Sequence, residues 1–235
     1  MESTHRLDNK WYDYSFMALG LLIQVLTYAF MPHDTWLSLL SGCLGVCSVC
    51  LTAQGKIMTF AFGFAQVFTY TYLCYTQRFY GEIAINGYYF VTMIYGVYVW
   101  KRRLRKPEDG SSDKRLVMPR SLPLRTILLI AAATLVGSWL TGWGLSAWTD
   151  DTQPYLDAFT TIPALVAQVL MILVYREHWF IWLAVDVLSV ALWLRAGDYC
   201  MAAQYLFWCA NCLYGLRRWK TISRQPSDVS ARSAS

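Results

Sequence analysis

Eight apolar runs divide this chain, each about 16 to 24 residues long, close to the length a helix needs to cross the hydrocarbon of a bilayer. They cover roughly 15 to 31, 36 to 53, 57 to 76, 83 to 100, 125 to 148, 159 to 175, 179 to 194 and 199 to 216. Hydrophobic residues make up 56% of the 235, aromatics 16% and charged residues only 15%, far more apolar surface than a soluble core of this size needs. The spacing predicts an all-α integral membrane protein with eight transmembrane helices. The first run follows a stretch of mixed acids and bases rather than a basic segment with a small-residue cleavage site, so it is expected to stay as a helix.

Charge supplies the orientation. Membrane proteins hold their excess Lys and Arg in cytoplasmic loops. With the N-terminus inside, eight crossings place 18 of the 20 basic residues on the cytoplasmic side, nine of them between Lys101 and Arg125. Only Arg78 and Arg195 fall outside, and the outer stretch TDDTQPYLD has three acids and no base. Both chain ends are therefore expected in the cytoplasm, and the net charge of +5 reads as a topology signal rather than a sign of nucleic acid. The cysteines sit in apolar runs, where the residue acts as a small hydrophobe. His5, His33 and His178 lie at the edges of the spans, so no metal site is expected.

An internal repeat sets the architecture. YGEIAINGYYFVTMIYGVYVWK, Tyr80 to Lys101, overlays YCMAAQYLFWCANCLYGLRRWK, Tyr199 to Lys220, at an offset of 119 residues, pairing Gly96 with Gly215 and Trp100 with Trp219. One residue earlier in register, Lys56 pairs with Arg176, Phe62 with Trp182 and Gln66 with Asp186. Three spans leave the chain on the side opposite its entry, so a second copy in the same orientation needs one extra crossing, which span five supplies. The expected layout is 1+3+1+3: an extra helix within 1–35, a first repeat at 36–101, a basic loop and linker helix at 102–155, a second repeat at 156–220 and a tail at 221–235. Two parallel three-helix repeats joined by a linker form a transporter architecture, with substrate near midplane between the halves.

The seventh span contains one acid, Asp186. At about 100° per residue, Trp179, Trp182, Asp186, Ser189 and Trp193 fall within roughly 80° of one another. Span three brings Phe62 and Gln66 to the matching stripe, span four Asn86 and Tyr89, and span eight Gln204, Trp208 and Asn211. A charge at the centre of a membrane helix costs about 2.5 to 3.5 kcal/mol on insertion scales, so such residues face a cavity or a partner. The competing reading of the polar groups is helix-to-helix hydrogen bonding within the bundle. Trp100 and Trp219 read as interfacial anchors. An enzyme is not expected: Asp186 is the only acid inside a predicted span, and no phosphate-binding GxxxxGK[ST] loop occurs.

The pattern WxxWxxxDxxS in span seven, followed by GDYxMAxQY and YGLxxW, with YGVYVWK closing the first half, resembles the PnuC family of vitamin transporters over residues of about 36 to 220. The resemblance implies a SWEET-like fold, facilitated diffusion of nicotinamide riboside through the inner membrane, no cofactor, and a cytosolic nucleoside kinase that traps the product. Relatives in the family carry thiamin or riboflavin, and thiamin, also a flat cation, suits the same stripe. A non-transporting receptor would keep the topology but would not explain a polar stripe in both repeats. The architecture is compatible with a homo-oligomer. On this reading Trp182 stacks on the cationic ring, Asp186 balances its charge or accepts from a hydroxyl, and Gln66, Asn86, Gln204 and Asn211 orient the sugar and carboxamide.

Overall fold

A computed structural model of the chain describes residues 10–30, 35–76, 78, 80–105, 116–150, 153–196 and 199–223. His5, His33, the middle of the basic loop, the Gly197-Asp198 pair and the tail beyond 223 lie outside the described residues. The described residues form eight helices: α1 (Lys10–Phe30), α2 (Trp36–Ala53), α3 (Thr59–Thr76), α4 (Tyr80–Arg102), α5 (Leu124–Trp148), α6 (Pro154–Ile172), α7 (His178–Ala196) and α8 (Tyr199–Ile222). Two short strands, β1 (Leu104–Arg105) and β2 (Leu116–Val117), pair antiparallel between α4 and α5. All eight expected spans appear as helices. Several run beyond their apolar windows: α8 continues through Arg217, Arg218 and Lys220, because a helix that leaves the hydrocarbon keeps its hydrogen bonds while its side chains turn polar.

Five helices, α1, α2, α5, α6 and α7, are long and apolar enough to cross a membrane by composition. The other three are as long but carry more polar and tyrosine side chains, and they hold Gln66, Asn86, Gln204 and Asn211. Six helices close into a ring in which each touches the next: α2, α3, α4, α6, α7, α8 and back to α2. The two seams between halves, α4 against α6 and α2 against α8, are the same pair of positions in the two repeats. Outside the ring α1 packs on α2 and α8, and α5 packs on α6. Asp13 ties α1 in place by accepting from the Tyr214 hydroxyl and from Arg218 Nη1 at 3.1 Å, a pair largely removed from solvent. The start of α1, the end of α8, the strand pair and the turns after α2 and α6 thus share one end of the bundle.

Those two turns show the repeat at the level of single hydrogen bonds. After α2, Lys56 N–H donates to Leu51 O at 3.0 Å and Gly55 N–H to Thr52 O at 2.9 Å. After α6, Tyr175 N–H donates to Leu170 O at 2.9 Å and Val174 N–H to Met171 O at 3.0 Å. Both are Schellman ends, which require a left-handed residue past the helix. Gly55 meets that with φ 69°, while Val174 adopts φ 65° with a β-branched side chain, a conformation that costs about 1 to 2 kcal/mol. Each left-handed carbonyl is also used by the segment before α5: Val117 N–H donates to Gly55 O at 2.9 Å, and Arg120 N–H to Val174 O at 2.8 Å. One short strap therefore holds both halves at equivalent points.

Two expectations need correction. The offset of 119 runs unchanged through these turns and into α3 and α7, so Lys56 matches Tyr175 rather than Arg176, Gly63 matches Trp182 rather than Phe62 does, and Val67 matches Asp186 rather than Gln66 does. A one-residue shift would need a longer turn in one half, and the turns are equal in length. Trp100 and Trp219 are not interfacial anchors: both are fully buried and their rings meet edge-on at 5.9 Å. Trp100 Nε1 donates to Met171 O at 3.2 Å and Trp219 Nε1 to Thr52 O at 2.9 Å. Each indole adds a second bond to a carbonyl at the helix end of the other half, one that already accepts from the left-handed residue of the turn, so the two bonds exchange places under the repeat. His178 is fully buried as well, its ring 4.7 Å from that of Trp219.

Candidate functional site

The ring of six helices leaves its polar groups in a column. Asp186, in the middle of α7, is only 7% exposed, and its Oδ2 accepts from the Cys212 thiol of α8 at 3.4 Å. The matching pair in the first half, Val67 and Met93, is buried and apolar, which shows that this helix contact needs no charge to pack. Asp186 is therefore an addition to the scaffold rather than a part of it. Above it, toward the end opposite the strap, the Tyr205 hydroxyl lies beside Ser189 and Trp193 and within electrostatic reach of Asp186 and Glu82. Tyr70 of α3 and Tyr89 of α4 sit in the same field, each within reach of Glu82 and Tyr205. The column thus draws on α3, α4, α7 and α8, hence on both halves.

Below the column, aromatic rings fill the space. Trp179 is 2% exposed and stands perpendicular to Trp219 at 5.8 Å, with the His178 ring 4.4 Å away. Its indole lies so close to α8 that a Cβ on Gly215 would come within 2.5 Å, and Phe60 presses on Gly96 in the same way at 2.8 Å. Glycine at both positions lets an aromatic ring lie flat on a helix at the strap end. With Trp100 and Trp219 these rings close that end of the ring of helices.

The side chains expected at the site divide accordingly. Asp186, Ser189, Tyr89 and Trp182 fall in or beside the column; Trp182 and Tyr89, both half-buried, pack on the central apolar cluster that joins the halves. Ser189 also donates to Val185 O of its own helix at 3.0 Å. Asn86 is buried and donates to Glu82 O at 2.8 Å, within its own helix. Trp179 belongs to the plug. Trp208 packs in a separate cluster with Phe207, Val46 and Cys50 near α1. Gln66 leans on Gly45 of α2. Phe62 and Gln204 are half-buried.

Asn211 is fully buried, and among the described residues neither its amide nitrogen nor its oxygen has a partner. Its counterpart, Thr92, accepts from Gln168 Nε2 of α6 at 3.3 Å across the α4–α6 seam. The position matching Gln168 is Val49, which has nothing to give, so the amide keeps its full hydrogen-bonding capacity. A buried group in that condition costs about 1 to 3 kcal/mol unless something supplies the bond.

Sequence reasoning passed over Tyr205 and Glu82. Tyr205 lies on α8 one turn from Trp208 and Cys209, and in a chain with 16 tyrosines nothing marks it until α7 is packed beside it. Glu82 stands just before the apolar run of span four and so reads as a loop acid. Among the described residues no three of His, Cys, Asp and Glu come together as a metal site. What the column can do chemically is hold a flat, polar molecule: ring faces at Trp182 and the tyrosines, hydroxyls and amides for sugar-like groups, and a carboxylate in a region of low dielectric.

Comparison with known proteins agrees with this architecture. The sequence profile of a family described as nicotinamide mononucleotide transporter matches residues 35–221. The chain is 32% identical over 92% of its length to the nicotinamide riboside transporter PnuC of Haemophilus influenzae, covering 92% of that protein, and 31% identical over 90% to that of Neisseria mucosa, covering 82%. A riboflavin/roseoflavin transporter, RibM of Streptomyces davaonensis, is 27% identical over 84% of this chain and 91% of its own length. The crystal structure of the vitamin B3 transporter PnuC superposes with a TM-score of 0.76 at 30% identity, covering 92% of this chain and 93% of that one.

Proposed function

The chain belongs to the nicotinamide mononucleotide transporter family, and from that premise we propose that it carries nicotinamide riboside across the membrane by facilitated diffusion. The observation that carries the reading is Asp186: a buried carboxylate, absent from the matching apolar position in the other half, at the base of an aromatic and hydroxyl-lined column built by both halves. Nicotinamide riboside joins a flat pyridinium cation to a ribose. Trp182 offers an aromatic face for the ring, worth about 0.5 to 2 kcal/mol for a cation, and Asp186 supplies the opposite charge. Tyr205, Ser189, Asn86 and Asn211 offer donors and acceptors for the hydroxyls and the carboxamide, with Gln66 and Gln204 as further contacts once the ligand is seated.

The substrate enters from the Glu82 end, where Glu82 and the nearby Asp157 draw a cation inward. It leaves past the aromatic plug once the crossed indole bonds part. Both chain ends and the strap lie in the cytoplasm on this reading, since that side holds the excess of Lys and Arg. Uncoupled movement only equalises concentrations, so accumulation requires a cytosolic kinase that adds a phosphate the site rejects. Titration calorimetry on the purified protein with nicotinamide riboside, thiamin and riboflavin side by side tests the assignment. Nicotinamide riboside should bind most tightly; tighter riboflavin binding would move the chain to the chemistry of its RibM relative, and tighter thiamin binding would keep the cation and change the vitamin.

A further inference from the structure

At the strap end, on the outside of the bundle, α4 runs into a recess of about 380 Å³ whose lining includes Tyr95, Tyr98, Arg102, Arg103, Met118 and Arg120. No carboxylate lines it among the described residues. The Arg102 guanidinium lies over the Tyr98 ring at 4.3 Å, and that of Arg120 over the Tyr175 ring at 4.5 Å. Stacking holds a guanidinium by its face and leaves the donors of its edge for other partners. Arg120 Nη2 donates to Leu173 O at 3.0 Å, while its Nε is buried without a partner among the described residues. These are the parts of an anion site.

The helix leading to it points to the kind of anion. Val91, Ile94, Tyr98 and Arg102 follow at intervals of three or four residues, with Tyr95 beside Ile94, and make one stripe along α4. Val91, Ile94, Tyr95 and Tyr98 are exposed by 65, 54, 53 and 50%, facing away from the ring of helices. Along that stripe the surface passes from aliphatic to aromatic to cationic, the same order as acyl chain, interface and phosphate in a lipid leaflet. The described residues 101–105 and 116–125 contain six bases and no acid, which keeps the potential at this end positive.

We propose that this recess binds the headgroup phosphate of an anionic phospholipid from the leaflet at the strap end, with an acyl chain laid along Val91 and Ile94. The phosphate bonds to Arg102 and Arg120, and the tyrosine hydroxyls meet the glycerol region. Because Arg120 also bonds to Leu173 at the end of α6, an occupied site pins the α4–α6 seam at its strap end. A soluble phosphate would satisfy the arginines but would make no use of the stripe.

The test uses the full chain in phosphatidylcholine nanodiscs, with phosphatidylglycerol titrated in and retained lipid measured by native mass spectrometry. Phosphatidylglycerol should be retained in preference to phosphatidylcholine, and Arg102→Gln should lower that retention about fivefold, the effect of one basic side chain near an anionic surface. Arg102 is exposed on the helix, so this variant is expected to fold, and an unchanged melting temperature checks it. Arg217→Gln removes the same charge from an exposed residue outside the recess and should leave retention unchanged. An equal loss with Arg217→Gln would reduce the effect to a diffuse positive field and overturn the site. Displacement of the lipid by millimolar inorganic phosphate, or no preference for phosphatidylglycerol in the wild type, would overturn the lipid assignment.

Discussion

Asp186 accepts one hydrogen bond from a thiol, a weak donor, so most of the capacity of its carboxylate is left for another group. If that group is a cationic ring, Asp186→Asn keeps size and hydrogen bonding but removes the charge. Affinity for nicotinamide riboside should then fall by about 1 kcal/mol more than affinity for a neutral analogue of the same shape, at an effective dielectric between water and protein. Measuring both ligands on both proteins gives a cycle whose coupling term isolates the charge. Zero coupling would mean that the aspartate reads hydroxyls alone. Unchanged affinity for both ligands would return it to helix packing. At this scale the sequence was legible where chemistry contradicts environment, as with one acid in an apolar helix. It was not legible where the residue type is common and only the neighbour gives it meaning, as with Tyr205.

Among the elements, the strap end joins the halves in two ways: two indoles bond to carbonyls of opposite halves, and one strap bonds to two left-handed turns. Each indole bond contributes about 1 kcal/mol net. Trp219→Phe retains the ring but removes the indole bond to Thr52 O, the carbonyl that also accepts from Gly55 N–H, and Gly55 O is the one that Val117 uses. Hydrogen exchange in the peptide containing residues 116 to 120 should therefore quicken about fivefold in Trp219→Phe, and by a similar factor in Trp100→Phe. Unchanged exchange in both would show that the crossed bonds do not hold this end closed. The sequence placed the repeat and its offset of 119 correctly in α4 and α8. It misjudged α3 and α7 by one residue because Gln66 and Phe62 resemble Asp186 and Trp182 more than Val67 and Gly63 do, and similarity of side chains is a weaker guide to register than equal turn length. The two tryptophans looked like anchors because each lies just before a Lys or Arg, a pattern that also arises when a helix end carries its ring inward against a second copy.

For the whole molecule, span count and charge asymmetry were sufficient to set out eight helices as one, three, one and three, because hydrocarbon thickness fixes segment length and a parallel repeat fixes the number of crossings between copies. The closing of six helices into a ring depended on which faces meet, and no apolar count contains that. On the proposed orientation, which rests on the distribution of bases, a cysteine introduced at Ser223, exposed at the end of α8, should resist a membrane-impermeant thiol reagent in intact cells and react once the cells are opened. Labelling in intact cells would invert the topology. On the proposed function this chain by itself passes nicotinamide riboside through the column at Asp186, and uptake of labelled nicotinamide riboside into liposomes containing only this protein decides it. Entry should stop at equal concentrations inside and outside, need no ion gradient, and be reduced in Asp186→Asn; no entry above protein-free liposomes, or accumulation that depends on a proton or sodium gradient, would overturn it.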